Sequence, residues 1–454
     1  MASLDGPKIP LWLQKARMII WPTEFLEDCA HNHGGVFTLG CDDAGMTAIP
    51  DSPVVFVSEP LALKQIFSAG SDLFNFGQSG DALGPFFGEK SLFLLDGAVH
   101  KRMRSLLMPP MHGQPLQAQG EKIVEVARLV SSQWRVGHPF LVCPAMLDIS
   151  LEVILQITLD LDQGQRLEHF KKVFNAWLTS LFSPLKATVL SFLSLQADLG
   201  DWSPWGRFVR LRGQLFQLLD EEIQQRRQNS DPSRTDILSA LMMARDPEGK
   251  ALTDDDLKDQ VFAILSAGVE NTSIALAWAM YWIHFLPEVR QKLLSELDSS
   301  GADLSLSGIA QLPYLSAICQ EALRIYPPIM VTELRLLKSP MLLMGHQLEP
   351  GTVLLPCSYL THQRPELYPE PKRFRPERFL KRKYAPYEYF PFGGGNRICI
   401  GGTLAMFTMK LVIATIVSRL NLKLIDQNVK PVRSRFAISP SLGFRMVIIN
   451  EREG

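Results

Sequence analysis

Cys399 stands in the stretch with the clearest chemistry, Phe-Pro-Phe-Gly-Gly-Gly-Asn-Arg-Ile-Cys-Ile-Gly-Gly, residues 390–402. Three consecutive glycines, Gly393 to Gly395, mark backbone that must turn hard or pass close to something flat. An apolar, helix-favouring run opens at Thr403. The cysteine therefore ends a tight loop and faces the start of a helix. Partial positive charge and free N–H groups at a helix start favour a thiolate and lower its pKa. A thiolate held in this way suits the axial position of an iron porphyrin. A lone cysteine is more often a small apolar core residue, but its surroundings here favour ligation.

Three further clusters carry polar chemistry. Ala267-Gly268-Val269-Glu270-Asn271-Thr272-Ser273 interrupts an apolar run from Val261 to Phe285. Buried polar residues are costly without partners or a task. Gly268 removes a side chain, so something flat or small can approach there. Glu321-Ala-Leu-Arg324 puts both charges on one helical face, where they can pair. His100 and Arg104 place two donors one helical turn apart.

The elements that must position these groups are mostly helical. The longest predicted helix starts near Thr253 and runs to about Leu286. Thr253 and Asp256 form a capping box, Asp254 and Asp255 complement the helix start, and Pro287 ends the run. A helix of ~33 residues is about 50 Å long. Residues 13–33 read as one helix with Trp12, Ile19, Phe25 and Cys29 on a common face. Residues 36–39 and 54–57 read as strands, and strand-and-turn material returns at 341–356 and 436–450. Phe74, Phe76, Phe86, Phe87, Leu92 and Phe93 crowd the glycine-rich region Gly70–Gly97. That region either packs as a loop or folds over something apolar.

Composition sets the bounds. With 454 residues and 46% apolar content the chain can bury a large core. A net charge of −1 argues against a general nucleic-acid binder. Six scattered cysteines, without a Cys-x-x-Cys pair or zinc spacing, fit a reducing compartment rather than a disulfide scaffold. The prolines and charges of the first residues exclude the apolar run of a signal peptide. No window of about 20 residues reads as charge-free and apolar enough to span a bilayer. No repeat, low-complexity tract or Gly-x-Gly-x-x-Gly after a strand is found.

Phe392-x-x-Gly395-x-Arg397-x-Cys399-x-Gly401 resembles, without a gap, the haem-binding signature of the cytochrome P-450 superfamily. The resemblance covers nearly the whole chain. It implies a mainly α fold with small β-sheets and a long central helix over the haem. It implies one haem-thiolate monooxygenase domain, 1–454, with a small β-rich lobe around 35–70 plus 340–356 and 436–450. Cys399 becomes the axial ligand of haem b. His100, Arg104, Arg335 and Arg397 become propionate contacts, and Phe392 and Gly393 also border the cofactor. Glu321, Arg324 and Arg378 become a buried triad behind the haem. Ala267, Gly268 and Glu270 match the oxygen-binding segment, in which Asn271 replaces the usual threonine and Thr272 follows. His362 reads as structural. The substrate pocket is expected among Phe86, Phe87, Leu92, Ala263, Ile329, Val331 and Leu442, under a lid from residues 170–219 that includes Trp177, Leu178, Leu181, Phe182 and Phe192.

The reaction implied is dioxygen-dependent hydroxylation or epoxidation of a lipophilic small molecule such as a fatty acid or terpenoid. Electrons from NAD(P)H are expected through a ferredoxin or flavodoxin with its reductase. That carrier would dock on a basic face of Lys101, Arg102, Lys381–Lys383 and Lys410, where a solvated charge run is the plainer reading. A soluble, bacterial-type, cytoplasmic monomer without the N-terminal membrane anchor of microsomal members is expected. Asn271 also motivates an alternative, a peroxygenase or an isomerase or dehydratase that needs no reductase. A non-enzymatic haem sensor is the remaining alternative, and the intact oxygen-activation segment argues against it.

Overall fold

The computed structural model describes residues 4–40, 52–77, 84–161, 164–180, 198–229, 231, 233–300, 305–434, 437–441 and 443–452. The helices that matter for the site are α1 (Pro60–Ser68), α2 (Gly97–Leu107), α3 (Val142–Leu159), α4 (Pro204–Gln228), α5 (Asp254–Phe285), α6 (Pro313–Ile325) and α7 (Gly402–Arg419). The ends of α5 follow from local chemistry. Thr253 Oγ1 accepts the Asp256 N–H at 3.1 Å, Asp256 returns the bond to the Thr253 N–H at 3.1 Å, and Pro287 opens the next helix. Both reciprocal bonds satisfy amides that a helix start leaves open.

Helix α5 is the spine. It packs along α3 and touches α4, α6 and α7. Its Trp278 is fully buried, stacks at 4.3 Å on Tyr326 and donates to the Ile438 carbonyl at 3.3 Å. The expectation that no segment is apolar enough to span a membrane is corrected here. Helices α3, α5 and α7 are long and apolar enough by length and composition. Between 56% and 72% of those windows is buried inside the fold, so their apolar surface faces the core.

Five short strands form the largest sheet: β1 (Val36–Leu39), β2 (Val54–Val57), β3 (Phe74–Asn75), β5 (Arg335–Leu337) and β8 (Val353–Pro356). Their order is β1-β2-β8-β5-β3, with β2 and β8 parallel and the other pairs antiparallel. Strands β6 (Met341–Leu343) and β7 (His346–Leu348) form a hairpin. The C-terminal strands do not join this sheet, contrary to the lobe expected at 35–70, 340–356 and 436–450. Strand β12 (Arg445–Glu451) pairs with β4 (Pro139–Leu141) and β9 (Leu420–Leu424) against the helical core. Strands β10 (Pro431–Ser434) and β11 (Ala437–Pro440) pair with each other and, among the described residues, with no other strand. Strand pattern alone does not encode which edge a strand meets.

The single N-terminal helix expected at 13–33 is two, Leu11–Ile20 and Pro22–His33, broken at Trp21. Proline lacks an N–H and cannot continue the first helix. The break separates the supposed common face. Phe25 and Cys29 are buried, whereas Trp12 and Ile19 point to solvent. Gln14 turns inward instead, bonding the Ile9 carbonyl at 2.9 Å and the Gly40 N–H at 2.8 Å.

Candidate active site

The cysteine loop is shaped by close approach. Gly393 and Gly395 have φ of +76° and +68°. A Cβ on Gly394 would lie 2.5 Å from the Phe67 ring of α1, and one on Gly395 would lie 2.8 Å from the Phe67 carbonyl oxygen. A side chain at Gly394 would have to displace the Phe67 ring, and one at Gly395 the Phe67 backbone. The Cys399 N–H donates to the Phe392 carbonyl at 2.8 Å, closing the loop before α7 begins. His362 Nε2 accepts the Phe390 N–H at 3.0 Å, and burial holds that imidazole neutral.

Cys399 keeps open surface, yet it is strongly desolvated. Both follow if the sulfur lines an internal recess rather than the outer surface. The expected low thiol pKa is corrected. Burial pushes it up, outweighing the amides of Gly401 and Gly402 and the Arg104 guanidinium, and the nearby Glu333 carboxylate pushes the same way. A metal cation bound at the sulfur would push the other way.

Four basic residues gather around this recess. Burial, then Arg397 and Arg104, push His100 down to about 4, so it offers an N–H and not the positive charge its position suggests. Arg104 feels both Cys399 and Glu333. Arg397 lies over the Phe76 ring at 4.1 Å, pairs with Asp96 at 2.7 Å and donates to the Leu92 carbonyl at 3.2 Å and to that of Leu95. Arg335 lies over Phe67 at 4.8 Å and donates to the Gly394 carbonyl at 2.7 Å, while its Nε and Nη1 are buried without a partner among the described residues. Orphaned guanidinium hydrogens in a buried site call for an anion.

The central helix turns one face to the same interior. Between Asp259 and Tyr281 α5 is buried except at Ile264, Ala267, Gly268, Asn271 and Thr272, which retain partial exposure. Their spacing of i, i+3, i+4, i+7 and i+8 is one helical face. Asn271 Nδ2 donates to the Ala267 carbonyl at 3.2 Å. Glu270 is buried beside this face, where Ser434 Oγ donates to its Oε1 at 3.2 Å. Ser150 of α3 donates to the Val269 carbonyl at 2.8 Å. The expectation for Gly268 is corrected. A Cβ there would meet Ile154 of α3 at 3.0 Å, so the glycine serves helix packing and not a flat ligand.

The family model for cytochrome P-450 matches residues 12–445. The putative cytochrome P-450 135B1 of Mycobacterium tuberculosis is 32% identical over 423 residues, covering 93% of this chain and 86% of the relative. The chain is a cytochrome P-450. It is therefore a haem-dependent monooxygenase, an oxidoreductase. The putative cytochrome P-450 135A1 of the same organism is 30% identical over 422 residues, covering 91% of this chain and 87% of that one. The retinoic-acid-bound cyanobacterial CYP120A1 has the same fold, with a TM-score of 0.83 at 23% identity over 99% of this chain and 100% of that one.

The residues fit the haem of this cytochrome P-450 family. The cysteine sulfur opens into a recess, and the orphaned Arg335 hydrogens match a carboxylate-bearing cofactor. Glu321, Arg324 and Arg378 meet in a buried cluster. Arg324 donates to Glu321 at 2.7 and 3.0 Å and Arg378 at 3.0 Å. Arg324 also donates to the carbonyls of His362 and Pro371, each at 2.8 Å.

The pocket residues divide. Phe87, Leu92, Ile329 and Val331 are half-buried, as an open wall requires. Phe86 and Ala263 are buried. Phe86 packs at 5.2 Å on Phe208 of α4, and Ala263 lies on α5 one position before the half-exposed Ile264. Trp177 and Leu178 are buried in the core. Leu442, Leu181, Phe182 and Phe192 lie outside the described residues. Of the basic face, Lys101, Lys381 and Lys383 are exposed. Arg102 pairs with Asp246, Arg382 bonds Glu388 at 2.9 Å, and Lys410 is turned in to the Ala310 carbonyl at 2.6 Å.

Sequence reasoning missed Asp96 and Glu333. Asp96 also accepts the N–H groups of Phe76 and Gly77, at 3.1 and 2.8 Å. Burial pushes the Glu333 carboxyl up although Arg335, Arg397 and Arg104 pull it down. The available signal for Glu333 was one carboxylate two residues before Arg335 in an otherwise apolar stretch.

Proposed function

We propose that this chain hydroxylates a lipophilic small molecule, with electrons delivered by a separate acidic carrier protein that draws on NAD(P)H. The observation that carries the reading is the open face of α5, which carries an amide and a hydroxyl in an otherwise apolar row, with the buried Glu270 carboxylate beside it. When bound, the iron porphyrin supplies dioxygen activation, and a cysteine thiolate favours O–O cleavage. Cys399 would hold the iron, and His100, Arg104, Arg335 and Arg397 would hold the propionates, with Phe392 and Gly393 beside them. Glu270, held by Ser434, is the proton reserve. Thr272 can relay a proton through its hydroxyl. Phe87, Leu92, Ile329 and Val331 are apolar and orient a lipophilic substrate while excluding water. Lys101, Lys381 and Lys383 remain as the cations available to an acidic ferredoxin or flavodoxin.

The test is the absorption spectrum of the reduced, haem-loaded protein with carbon monoxide. A Soret band strongly red-shifted from that of His-ligated haem is expected. A band at the His-ligated position overturns the thiolate reading, and the oxygenation mechanism with it. A panel of fatty acids and terpenoids is then screened for displacement of the axial water. One observation favours a peroxide-driven second reading: Asn271 occupies the usual threonine position and commits its N–H to Ala267. Turnover with peroxide that exceeds turnover with a reductase, and that falls in Asn271→Thr, would establish it.

A further inference from the structure

Residues 88–96, which carry Leu92 and Phe93 past the open face of α5, contain turns but no helix or strand. Within the segment, the Ser91 N–H reaches the Gly88 carbonyl at 3.2 Å and the Leu94 N–H that of Ser91 at 2.9 Å. Those two turns do not say where the segment sits. Its position comes from two buried polar side chains of α5. Gln260 has 1% of its surface exposed and Asp259 7%. Gln260 Oε1 accepts the Leu92 N–H at 2.9 Å, and its Nε2 donates to the Lys90 carbonyl at 2.6 Å. Asp259 Oδ2 accepts the Lys90 N–H at 2.7 Å. Gly88, at φ +93°, passes so close that a Cβ would lie 2.9 Å from the Asp259 carboxyl carbon.

The other side of the segment is held from below. The Leu92 carbonyl accepts from Arg397 Nη1 at 3.2 Å. One residue therefore gives its N–H to the central helix and its carbonyl to the arginine of the cysteine loop. Gln260 precedes Ala267 by seven positions and Asn271 by eleven, which places it on the same face two turns away. A polar side chain buried in an apolar helix costs free energy unless its hydrogen bonds are met. Both ends of this one are met by backbone of the aromatic segment.

We propose that Gln260 is a positioning residue that sets the wall formed by Phe87, Leu92 and Phe93, and through it the size of ligand retained beside the iron. Phe87 and Phe93 pack at 4.6 Å, so moving the Lys90–Leu92 backbone moves both rings. The proposal rests on the reading that this interior receives haem and substrate. Its specificity consequence is that a bulky ligand feels the wall and a small one does not.

The experiment uses the haem-loaded protein and two iron-binding probes, imidazole and 4-phenylimidazole, followed by the Soret shift in stopped flow. In Gln260→Leu, release of 4-phenylimidazole should accelerate about tenfold, the scale of two lost hydrogen bonds, with imidazole release nearly unchanged. Amide exchange at Lys90 and Leu92 should accelerate in parallel. Gly88→Ala disturbs the same clamp from the segment's side and should act in the same direction, which keeps the test if Gln260→Leu fails to fold. Unchanged release of 4-phenylimidazole, or equal acceleration of both probes, overturns the proposal. If the wild-type protein lacks a thiolate-type spectrum, the haem reading fails instead, and amide exchange still decides whether Gln260 holds the segment.

Discussion

Replacing Glu321 by Gln removes the carboxylate that two buried guanidiniums share. Arg324 donates to it from Nε and Nη2 at 2.7 and 3.0 Å, Arg378 from Nε at 3.0 Å, and the Arg375 backbone N–H at 2.8 Å. Glu321 and Arg324 have no exposed surface, and Arg378 keeps 8%. An amide of the same shape retains one acceptor oxygen but turns N–H hydrogens toward Arg324, already a donor. Two cations are then left without a counter-charge where water cannot reach them. Removing one partner of a buried ion pair costs about 3–5 kcal/mol, a large part of the 5–15 kcal/mol typical of folded proteins. Arg378→Met should cost about 1.5–3 kcal/mol or slightly more, because it deletes the charged bond to Glu321 and the donors to the Pro369 and Arg373 carbonyls but leaves the Arg324 pair intact. Denaturant unfolding of the haem-loaded proteins, read by Soret absorbance and far-UV circular dichroism, measures both. Turnover per haem-loaded molecule should match wild type, since among the described residues the hydrogen bonds of Glu321, Arg324 and Arg378 reach none of Cys399, His100, Arg104, Arg335 and Arg397. A Glu321→Gln protein within about 1 kcal/mol of wild type, below the single-hydrogen-bond scale, would refute the charge argument. Lost turnover at unchanged stability would refute the structural role.

Cys399→Ser should keep the native far-UV dichroism and lose the thiolate-type carbon monoxide band together with turnover; a retained band would show another ligand. Gly268→Ala should destabilise by about 1–3 kcal/mol through overpacking, because its Cβ would lie 3.0 Å from Ile154. Adding Ile154→Val should restore much of that loss, and an undiminished midpoint in the single variant would refute the packing role. Burial pushes His284 down to about 4, and its Nε2 has no partner among the described residues. Its unfolded pKa is near 6.5, so below that pH the unfolded chain takes a proton that the folded protein refuses. The stability present above pH 6.5 is then lost as pH falls toward 4, by up to about 1.4 kcal/mol per pH unit. His284→Gln should flatten the unfolding midpoint against pH in that window, and an unchanged slope would refute the assignment.

What was legible in the sequence is what local chemistry decides. The ends of α5 are written in Thr253, Asp256 and Pro287, all within a turn of the boundary. The cysteine loop is written in glycines whose φ or crowding disfavours any other residue. The misreadings share another origin. Gly268 looked open because its neighbour Ile154 comes from α3, 114 positions earlier (268 minus 154). The thiol of Cys399 looked acidic because the helix start is local, whereas the desolvation that outweighs it depends on everything packed around the loop. Asp96, Glu333 and Gln260 carry no motif. Each acquires meaning only from partners, such as Arg397 and Leu92, that the fold brings from more than 150 positions away or from another element.

Asn271 shows how the two kinds of information combine. By residue type, an asparagine at a threonine position loses a hydroxyl that can donate and accept through one atom. The structure adds that the amide nitrogen is committed to the Ala267 carbonyl, four residues back. A threonine hydroxyl would commit its hydrogen to a carbonyl one turn back in the same way. Asn271 then keeps its amide oxygen and a second amide hydrogen, and a threonine would keep its hydroxyl oxygen, so an acceptor able to hold a water or a proton-bearing ligand survives the substitution. What does not survive is a hydroxyl at position 271 through which a proton can pass. On the proposed reading that step would fall to Thr272, one position on along the same half-exposed face, with Glu270 beside it. The departure from the family pattern would then shift the relay by one residue while leaving the acceptor in place.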